Sequence, residues 1–300
     1  MVDARTYAII VNFESAKMVR DCVVSLANEP LEAIVIVNNS PTDSQKELLK
    51  KIQLIDSRVS VVTAPRNVGF GAGVNLGVER LTLHGKDRIW LVNPDVVVTE
   101  PNTVKRLTDV LDEGFGIVSP AITTDTGYGT RVWFGGGTWD AARGVTEHWG
   151  YHAPLDTLAN RPDPEPVTFI TGAAMMLRAS VWAQLGGFRS DLFLYWEDSD
   201  LCIRAAAARV KLAVVPSVTV WHKVGATSAE AGKSALYYRY MARNRLIIAG
   251  AYMRKRDLLF GTGRAWTVRF FGLAMKSDVH PFAKFIAALR GTVAGVLHRA

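Results

Sequence analysis

The first half of the chain alternates short, β-branched apolar runs with segments of helical spacing. Four of these runs are apolar enough to be covered on both faces and predict strands at Tyr7–Val11, Ala33–Val37, Val59–Val62 and Ile89–Val92. Helical patterns follow at Ala16–Leu26 and from Asp43, which stands where a helix N-cap belongs. Strands alternating with helices predict an α/β fold with a mostly parallel sheet.

The second half is less regular. Residues 121–166 are rich in Gly, Trp, Thr and Pro, which predicts hairpins and a loop. Beyond them the pattern predicts a strand over Val167–Leu177, a short helix stopped by Gly186-Gly187, a helix over Glu197–Ala208, and a strand over Lys211–Val215 ended by Pro216. From about Lys233 onward the pattern is helical, basic and aromatic.

Polar side chains follow all four predicted strands of the first half, where each strand ends. They are Asn12, Asn38, Asn67, and the pair Asn93 and Asp95. Ligands of parallel sheets gather beyond the carboxyl ends of the strands. These residues are therefore candidates for binding a nucleotide, together with Gly69 in a Gly-rich segment that opens a helix, although tight helix packing requires glycine too.

Composition and charge narrow the class of protein. The 300 residues are 49% hydrophobic and 21% charged, as in a globular protein. No apolar run reaches membrane-spanning length, no signal peptide is expected, and two cysteines without metal spacing indicate a reduced, cytoplasmic protein. Residues 233–300 hold 13 Lys and Arg against Asp257 and Asp278, whereas residues 1–232 hold 22 basic and 26 acidic side chains. We therefore predict a catalytic domain over 1–232 and a basic tail over 233–300.

The basic tail interleaves its cations with aromatic residues, which is typical of helices that lie on an anionic membrane surface. The alternative is that these helices pack on the body or on a second subunit as a homo-oligomer. Nucleic acid is not expected as a partner because no recognised binding module is present.

Two acidic segments carry candidate chemistry. Asp95 follows a strand, where a carboxylate suits a hard divalent cation, although Asn93-Pro94-Asp95 is also good turn chemistry. Glu197 and Asp198, beside Trp196, open a helix, where acids either cap the helix or provide a general base. His222, after a strand-like run, is a candidate further metal ligand or a structural histidine, and the other histidines show no supporting constellation.

In this order the motifs resemble glycosyltransferase family 2, in its rhamnosyltransferase-like branch. The matching segments, spread over about residues 6–250, are VNNSPTD (37–43), NVGFGAGVNLG (67–77), WLVNPDV (90–96), ITGAAMMLR (170–178), GGFRSDLFLYWEDSDLCIR (186–204), VWHK (220–223) and Arg243-Asn244.

The resemblance implies a GT-A fold, with a donor half over about 1–120 and an acceptor half over about 121–232. It implies that Asp95 ends a DxD-type metal motif with Asn93 in place of the first acid, and that His222 helps to bind metal or diphosphate. It further implies that Asp198 is the catalytic base and that Glu197 adjoins the acceptor. The sugar and acceptor pocket would then include Thr171, Gly172, Trp196 and Glu197.

One departure from the family pattern concerns the base of the donor. The family usually has Asp at the position of Asn38, whose uncharged amide oxygen makes a weaker hydrogen bond to a pyrimidine. Arg189 also stands where the branch often has Asp.

The function implied is inverting sugar transfer with Mg²⁺ or Mn²⁺. The donor is a dTDP- or UDP-sugar, with dTDP-L-rhamnose favoured, and the acceptor is a glycan or a polyprenyl-linked sugar of cell-envelope polysaccharide assembly. Such an enzyme would work in the cytoplasm at the inner face of the cell membrane. The alternatives are a sugar nucleotidyltransferase and a non-catalytic protein that binds nucleotide-sugar or glycan.

Overall fold

The computed structural model describes residues 4–223 and 233–298. Its strands are β1 (Thr6–Asn12), β2 (Ala33–Asn38), β3 (Val59–Thr63), β4 (Arg88–Leu91), β5 (Val96–Val98), β6 (Ile117–Thr126), β7 (Gly129–Phe134), β8 (Gly137–Asp140), β9 (Val145–His148), β10 (Glu165–Val167), β11 (Met176–Arg178) and β12 (Leu212–His222). Its helices are α1 (Ala16–Ser25), α2 (Asp43–Gln53), α3 (Phe70–Val78), α4 (Thr103–Asp112), α5 (Ala179–Leu185), α6 (Glu197–Ala207), α7 (Ala235–Ile248), α8 (Lys255–Phe260), α9 (Arg264–Met275) and α10 (Pro281–Leu297).

One large mixed sheet forms the centre of the molecule, in the order β10-β12-β6-β11-β4-β1-β2-β3. The strands β4, β1, β2 and β3 run parallel, and Asn12 pairs in register with Asn38 at the carboxyl ends of β1 and β2. Strand β11 then runs antiparallel between β4 and β6, while β12 is parallel to β6. The predicted α/β fold is confirmed, and every antiparallel pair includes at least one strand that follows β4 along the chain.

The inner parallel strands β4, β1 and β2 are almost entirely buried. The edge strand β3 was predicted to be covered on both faces, but its Ser60 and Thr63 are exposed. Every residue of β1 is buried, which explains its unbroken apolar pattern. On one face α3 packs closely, because a Cβ on Gly73 would press on Val11 and one on Gly77 would press on Ile9 and Val37. These two glycines therefore serve helix packing, as the structural interpretation of the Gly-rich segment expected.

Three local predictions are wrong. Residues 167–177 are not one strand, since β10 ends at Val167 and β11 begins at Met176. Pro216 does not end a strand, because β12 continues to His222 through a shift of register with β6 between Val215 and Thr219. The α2 N-cap is Thr42, whose side chain accepts a hydrogen bond from the Gln45 amide, so Asp43 is instead the first helical residue.

The C-terminal segment is helical, as predicted, and α7 packs along α10. Arg245 on α7 is 1% exposed and donates to the carbonyl groups of Gly144 and Gly263, while its guanidinium lies 4.4 Å from the Trp266 ring. Within the described ranges, no helix is both long and apolar enough to cross a bilayer. The boundary predicted at residue 232 falls in 224–232, outside the described residues.

Candidate active site

A cleft of about 360 Å³ opens between the central sheet and α6, and it gathers candidates from both halves of the chain. Among its lining residues are the predicted site residues Asn93, Thr171, Gly172, Trp196, Glu197, Asp198 and His222. They come from the segment after β4, the loop between β10 and β11, the start of α6 and the end of β12. Residues more than 100 positions apart thus share one space.

Asp198 is half-buried at the first turn of α6 and is held by hydrogen bonds that favour its charged form. Its Oδ2 accepts from the Gly172 amide at 3.0 Å, and its Oδ1 accepts from the Ser199 amide at 2.7 Å and from the Ser199 hydroxyl at 3.3 Å. Burial raises the pKa of Asp198, and these donors act against that rise. The carboxylate is oriented at the wall of the cleft.

Glu197 differs from its neighbour in having little to stabilise a charge. Its residue is 6% exposed, and within the described part of the chain its Oε2 has no hydrogen-bond partner. Burial, followed by the nearby charge of Asp198, raises the pKa of Glu197. Of the two acids, Glu197 therefore keeps its proton more readily, and Asp198 is the one arranged to ionise. The third acid, Asp200, pairs with Arg204 at 2.6 Å.

The turn before α6 has an unusual backbone. Phe193, Tyr195 and Trp196 have φ angles of 66°, 66° and 73°, in the left-handed region that such bulky residues rarely adopt. Asn244 of α7 holds this turn, because its Nδ2 donates to the carbonyl groups of Leu192, Leu194 and Tyr195 at 2.8, 2.9 and 2.9 Å. We call residues 192–196 the catalytic turn.

Asp95 contacts His222, which lines the cleft, although Asp95 itself is not among the lining residues. The Nε2 of His222 lies 2.9 Å from Oδ1 of Asp95, and the Nδ1 of His222 is buried without a partner among the described residues. The carboxylate of Asp95 suits Mg²⁺ and Mn²⁺, and the imidazole beside it is a ligand typical of transition metals. The described ranges contain no cluster of three or more His, Cys, Asp or Glu side chains suited to a metal. The pair fits a cation that takes its other ligands from a diphosphate and water.

The other residues predicted to bind the donor nucleotide lie either buried at the ends of β1 and β2 or in the Gly-rich loop. Asn12 and Asn38 are fully buried, and the Nδ2 of Asn12 donates to Oδ1 of Asn38 at 3.1 Å. The Asn67 side chain accepts from the Gly69 amide at 3.0 Å. Gly69 has a φ of 90°, and a Cβ there would overlap the Phe193 carbonyl, so the loop abuts the catalytic turn only because this residue is glycine.

Several residues of the cleft were not singled out in the sequence. Trp133 lies edge-on to His222, with ring centroids 4.7 Å apart, and it also contacts His148. His148 opens to the cleft, yet the aromatic rings around it favour the neutral imidazole, so its pKa is lowered by loss of solvation. Tyr195 lies beside Glu197, and burial raises its pKa to about 12. No local spacing marks these residues, because Trp133 lies on β7, His148 on β9 and Tyr195 in the catalytic turn.

The fold and the cleft together define a glycosyltransferase of the GT-A fold. The structure superposes on GalNAc-T7, crystallised with UDP, GalNAc and Mn²⁺, with a TM-score of 0.61 at 16% identity over 93% of this chain and 56% of that one. The family model described as "Glycosyltransferase like family 2" matches residues 4–245. The chain therefore belongs to glycosyltransferase family 2 and is an enzyme, which favours the predicted transferase over both alternatives.

Two curated relatives refine the comparison. The N-acetylglucosaminyl-diphospho-decaprenol L-rhamnosyltransferase of Mycobacterium tuberculosis is 27% identical over 224 residues, which cover 66% of this chain and 69% of the relative. The low-salt glycan biosynthesis hexosyltransferase Agl10 of Haloferax volcanii is 22% identical over 219 residues. That match covers 71% of this chain and 66% of the relative's length. The chain thus spans about two thirds of each of these proteins.

Proposed function

We propose that this chain is an inverting, metal-dependent glycosyltransferase that moves a sugar from a nucleotide-sugar donor to an acceptor hydroxyl. The observation that carries the proposal is the state of Asp198. Its carboxylate lines the cleft while three hydrogen-bond donors orient it and favour its ionised form. A general base needs this combination of access, orientation and available charge.

Asp198 accepts the proton of the acceptor hydroxyl as that oxygen attacks the anomeric carbon of the donor. The C–O bond to the diphosphate breaks on the opposite face of the sugar, and the configuration at the anomeric carbon inverts. Glu197, with its raised pKa, stays protonated beside Asp198 and adds no second charge to the acceptor side. One base without a covalent nucleophile supports single displacement over a two-step retaining route.

Asp95 and His222 would hold the divalent cation, Mg²⁺ or Mn²⁺, at the donor end of the cleft. When bound, the cation neutralises negative charge that develops on the leaving diphosphate. Asn93 lines the same part of the cleft, and Trp133 supports the His222 ring from its edge. The uncharged Asn38 stands where the family usually has a carboxylate, but it is fully buried and its Oδ1 accepts from Asn12 and Ser40. The donor we propose is a dTDP- or a UDP-sugar.

The donor sugar we favour is L-rhamnose from dTDP-L-rhamnose, and the acceptor is a glycan or a polyprenyl-linked sugar in cell-envelope polysaccharide assembly. The support is the rhamnosyltransferase relative, whose name specifies a decaprenol-diphosphate-linked acceptor. The enzyme then works at the cytoplasmic face of the cell membrane, where such acceptors are reached. The apolar and aromatic lining of the cleft, including Phe70, Phe169 and Tyr237, suits stacking against sugar rings.

The test is Asp198→Asn, which keeps the shape of the side chain and removes its basicity. Loss of a general base lowers the rate by about 10²–10⁴-fold. We expect product formation to fall by that amount, measured by chromatography, while calorimetry shows dTDP-L-rhamnose binding with Mn²⁺ nearly unchanged. Asp200→Asn on the same helix is the matched control, because Asp200 pairs with Arg204. Transfer by Asp198→Asn within about threefold of wild type would contradict the proposed base.

A further inference from the structure

The outward face of α10 is apolar along its whole length. Phe282, Ile286, Leu289, Val293 and Val296 recur at alternating intervals of four and three residues and are 42–71% exposed. We call these five residues the α10 stripe. On an α-helix this spacing places all of them on one side. A surface helix of a globular protein normally exposes its polar face to solvent and buries its apolar face. Helix α10 instead exposes an apolar face.

The opposite face of α10 is fixed to the protein. Lys284, Ala288, Gly291 and Gly295 follow the same spacing, shifted by about half a turn, and all are buried. A Cβ on Gly291 would overlap the Arg239 carbonyl, and one on Gly295 would lie 2.6 Å from the Arg243 carbonyl. Because α10 lies this close to α7, it has no freedom to turn its stripe inward.

A basic groove adjoins the stripe. It lies between α7 and α10, has a volume of about 460 Å³, and is lined by Arg239 and Arg290 together with apolar residues that include Leu236 and Ile286. None of its described lining residues is acidic. The surrounding segment, 233–300, has 13 basic residues and two acidic ones. The α10 stripe beside this basic groove is complementary to a bilayer surface, in which acyl chains lie next to anionic headgroups.

We infer that the α10 stripe is a membrane-docking surface, which inserts among the acyl chains of an anionic phospholipid bilayer while Arg239 and Arg290 bind headgroup phosphates. A helix of 17 residues is about 25 Å long and lies in the plane of the interface. A second copy of the chain fits the surface less well. A two-fold contact through the same patch would set these arginines against their own copies.

This inference rests on the proposed function in one respect, since docking brings the cleft to the surface that carries a lipid-linked acceptor. Helix α7 lies between the two sites. Its Asn244 holds the catalytic turn, and its other side packs on α10. The surface of the bilayer and the acceptor side of the cleft are thereby connected through one rigid helix.

The experiment is co-sedimentation of the full chain with phosphatidylcholine vesicles, with and without phosphatidylglycerol. The variant Ile286→Ser/Leu289→Ser/Val293→Ser removes three stripe residues that project from the surface. We expect its affinity for the anionic vesicles to fall by roughly tenfold for each large apolar side chain removed. The control Leu54→Ser/Ile55→Ser/Tyr128→Ser changes three apolar residues elsewhere that are 45–87% exposed, and it should bind as wild type. Thermal unfolding verifies that each variant is folded.

The cationic part has its own variant, Arg239→Gln/Arg290→Gln. It should lose the preference for phosphatidylglycerol, as wild type should when salt shortens the screening length from about 10 Å at 0.1 M to about 3 Å at 1 M. Equal binding to both vesicle types by wild type, or unchanged binding by the stripe variant, overturns the inference. So does light scattering that shows a dimer which the stripe variant converts to a monomer without any vesicle binding.

The activity arm separates this inference from the proposed function. The stripe variant should transfer sugar to a water-soluble short-chain acceptor at the wild-type rate and lose transfer to a long-chain acceptor in vesicles. If wild type binds anionic vesicles but transfers to neither acceptor, the proposed function fails and the docking surface stands. Point variants are preferable to deleting 254–300, because Arg245 bonds to Leu258, Gly263 and Thr267 within that segment.

Discussion

Asn244→Ala should reduce turnover far more than its effect on stability would suggest. The Asn244 side chain is fully buried and donates to three carbonyl groups of the catalytic turn. The Asn244 amide shares two hydrogens among these three carbonyl groups, and a buried hydrogen bond contributes about 1 kcal/mol net, so the loss in free energy of unfolding is about 2 kcal/mol. A domain with about 5–15 kcal/mol of stability remains folded after that loss.

The turn itself responds differently, because it is strained. Phe193, Tyr195 and Trp196 each have positive φ, which costs about 1–3 kcal/mol per residue and persists only where the surrounding structure holds the residue in place. Without the Asn244 amide the turn relaxes toward ordinary φ values. Asp198 is only two residues beyond the end of the turn, so this relaxation displaces its carboxylate. A misplacement of about 1 Å in a catalytic group lowers the rate by about 100-fold.

Steady-state kinetics with the nucleotide-sugar donor, measured below the unfolding transition, is the assay. We expect kcat to fall by about 100-fold while KM for the donor stays within about threefold, since Asn244 touches neither Asp95 nor His222. Asn75→Ala is the matched control, because the Asn75 amide also bridges distant segments through two hydrogen bonds to Phe188. If both variants lose stability alike and Asn244→Ala lowers kcat no more than Asn75→Ala does, the positioning role is refuted.

Two further changes test the donor and acceptor ends of the cleft. Asp95→Ala should weaken UDP or dTDP binding in the presence of Mn²⁺ by at least about tenfold and remove its metal dependence in calorimetry, and unchanged metal-dependent binding would assign that role elsewhere. Glu197→Gln should raise the melting temperature at neutral pH. The folded-state pKa of Glu197 is raised, so its stabilisation is present at low pH and lost as pH rises above the usual range of a glutamic acid. The gain should therefore shrink toward pH 4, and a gain that is constant with pH would contradict the assignment.

The parallel half of the fold was predictable because its signals are local. Strands β1 and β2 are buried along almost their whole length and therefore show an unbroken apolar run, whereas the edge strand β3 has exposed Ser60 and Thr63. The second half was harder. Pro216 was expected to end a strand, but β12 shifts its register with β6 between Val215 and Thr219, and a proline is tolerated where the ladder is interrupted.

The candidate site also contains residues that the sequence indicated and residues that only the structure revealed. Asp95, Glu197 and Asp198 stand directly beside regular elements, so their positions suggested a role before any geometry was known. Trp133 and His148 had no such sign, because their contacts depend on how two hairpins fold over the sheet. Side chains that act through tertiary contact leave little trace in local spacing.

The position of helix α7 argues against dividing the chain at residue 232 into a catalytic domain and a tail. It begins after residue 232, within the segment predicted as tail, yet its Tyr237 and Met241 line the cleft and its Asn244 holds the catalytic turn. The family match ends at residue 245, which includes these three residues and stops before α8. We therefore propose that the catalytic unit extends through α7, whereas α8–α10 lie beyond the family match. Because α10 packs on α7 at Gly291 and Gly295, a single helix separates the α10 stripe from the active site.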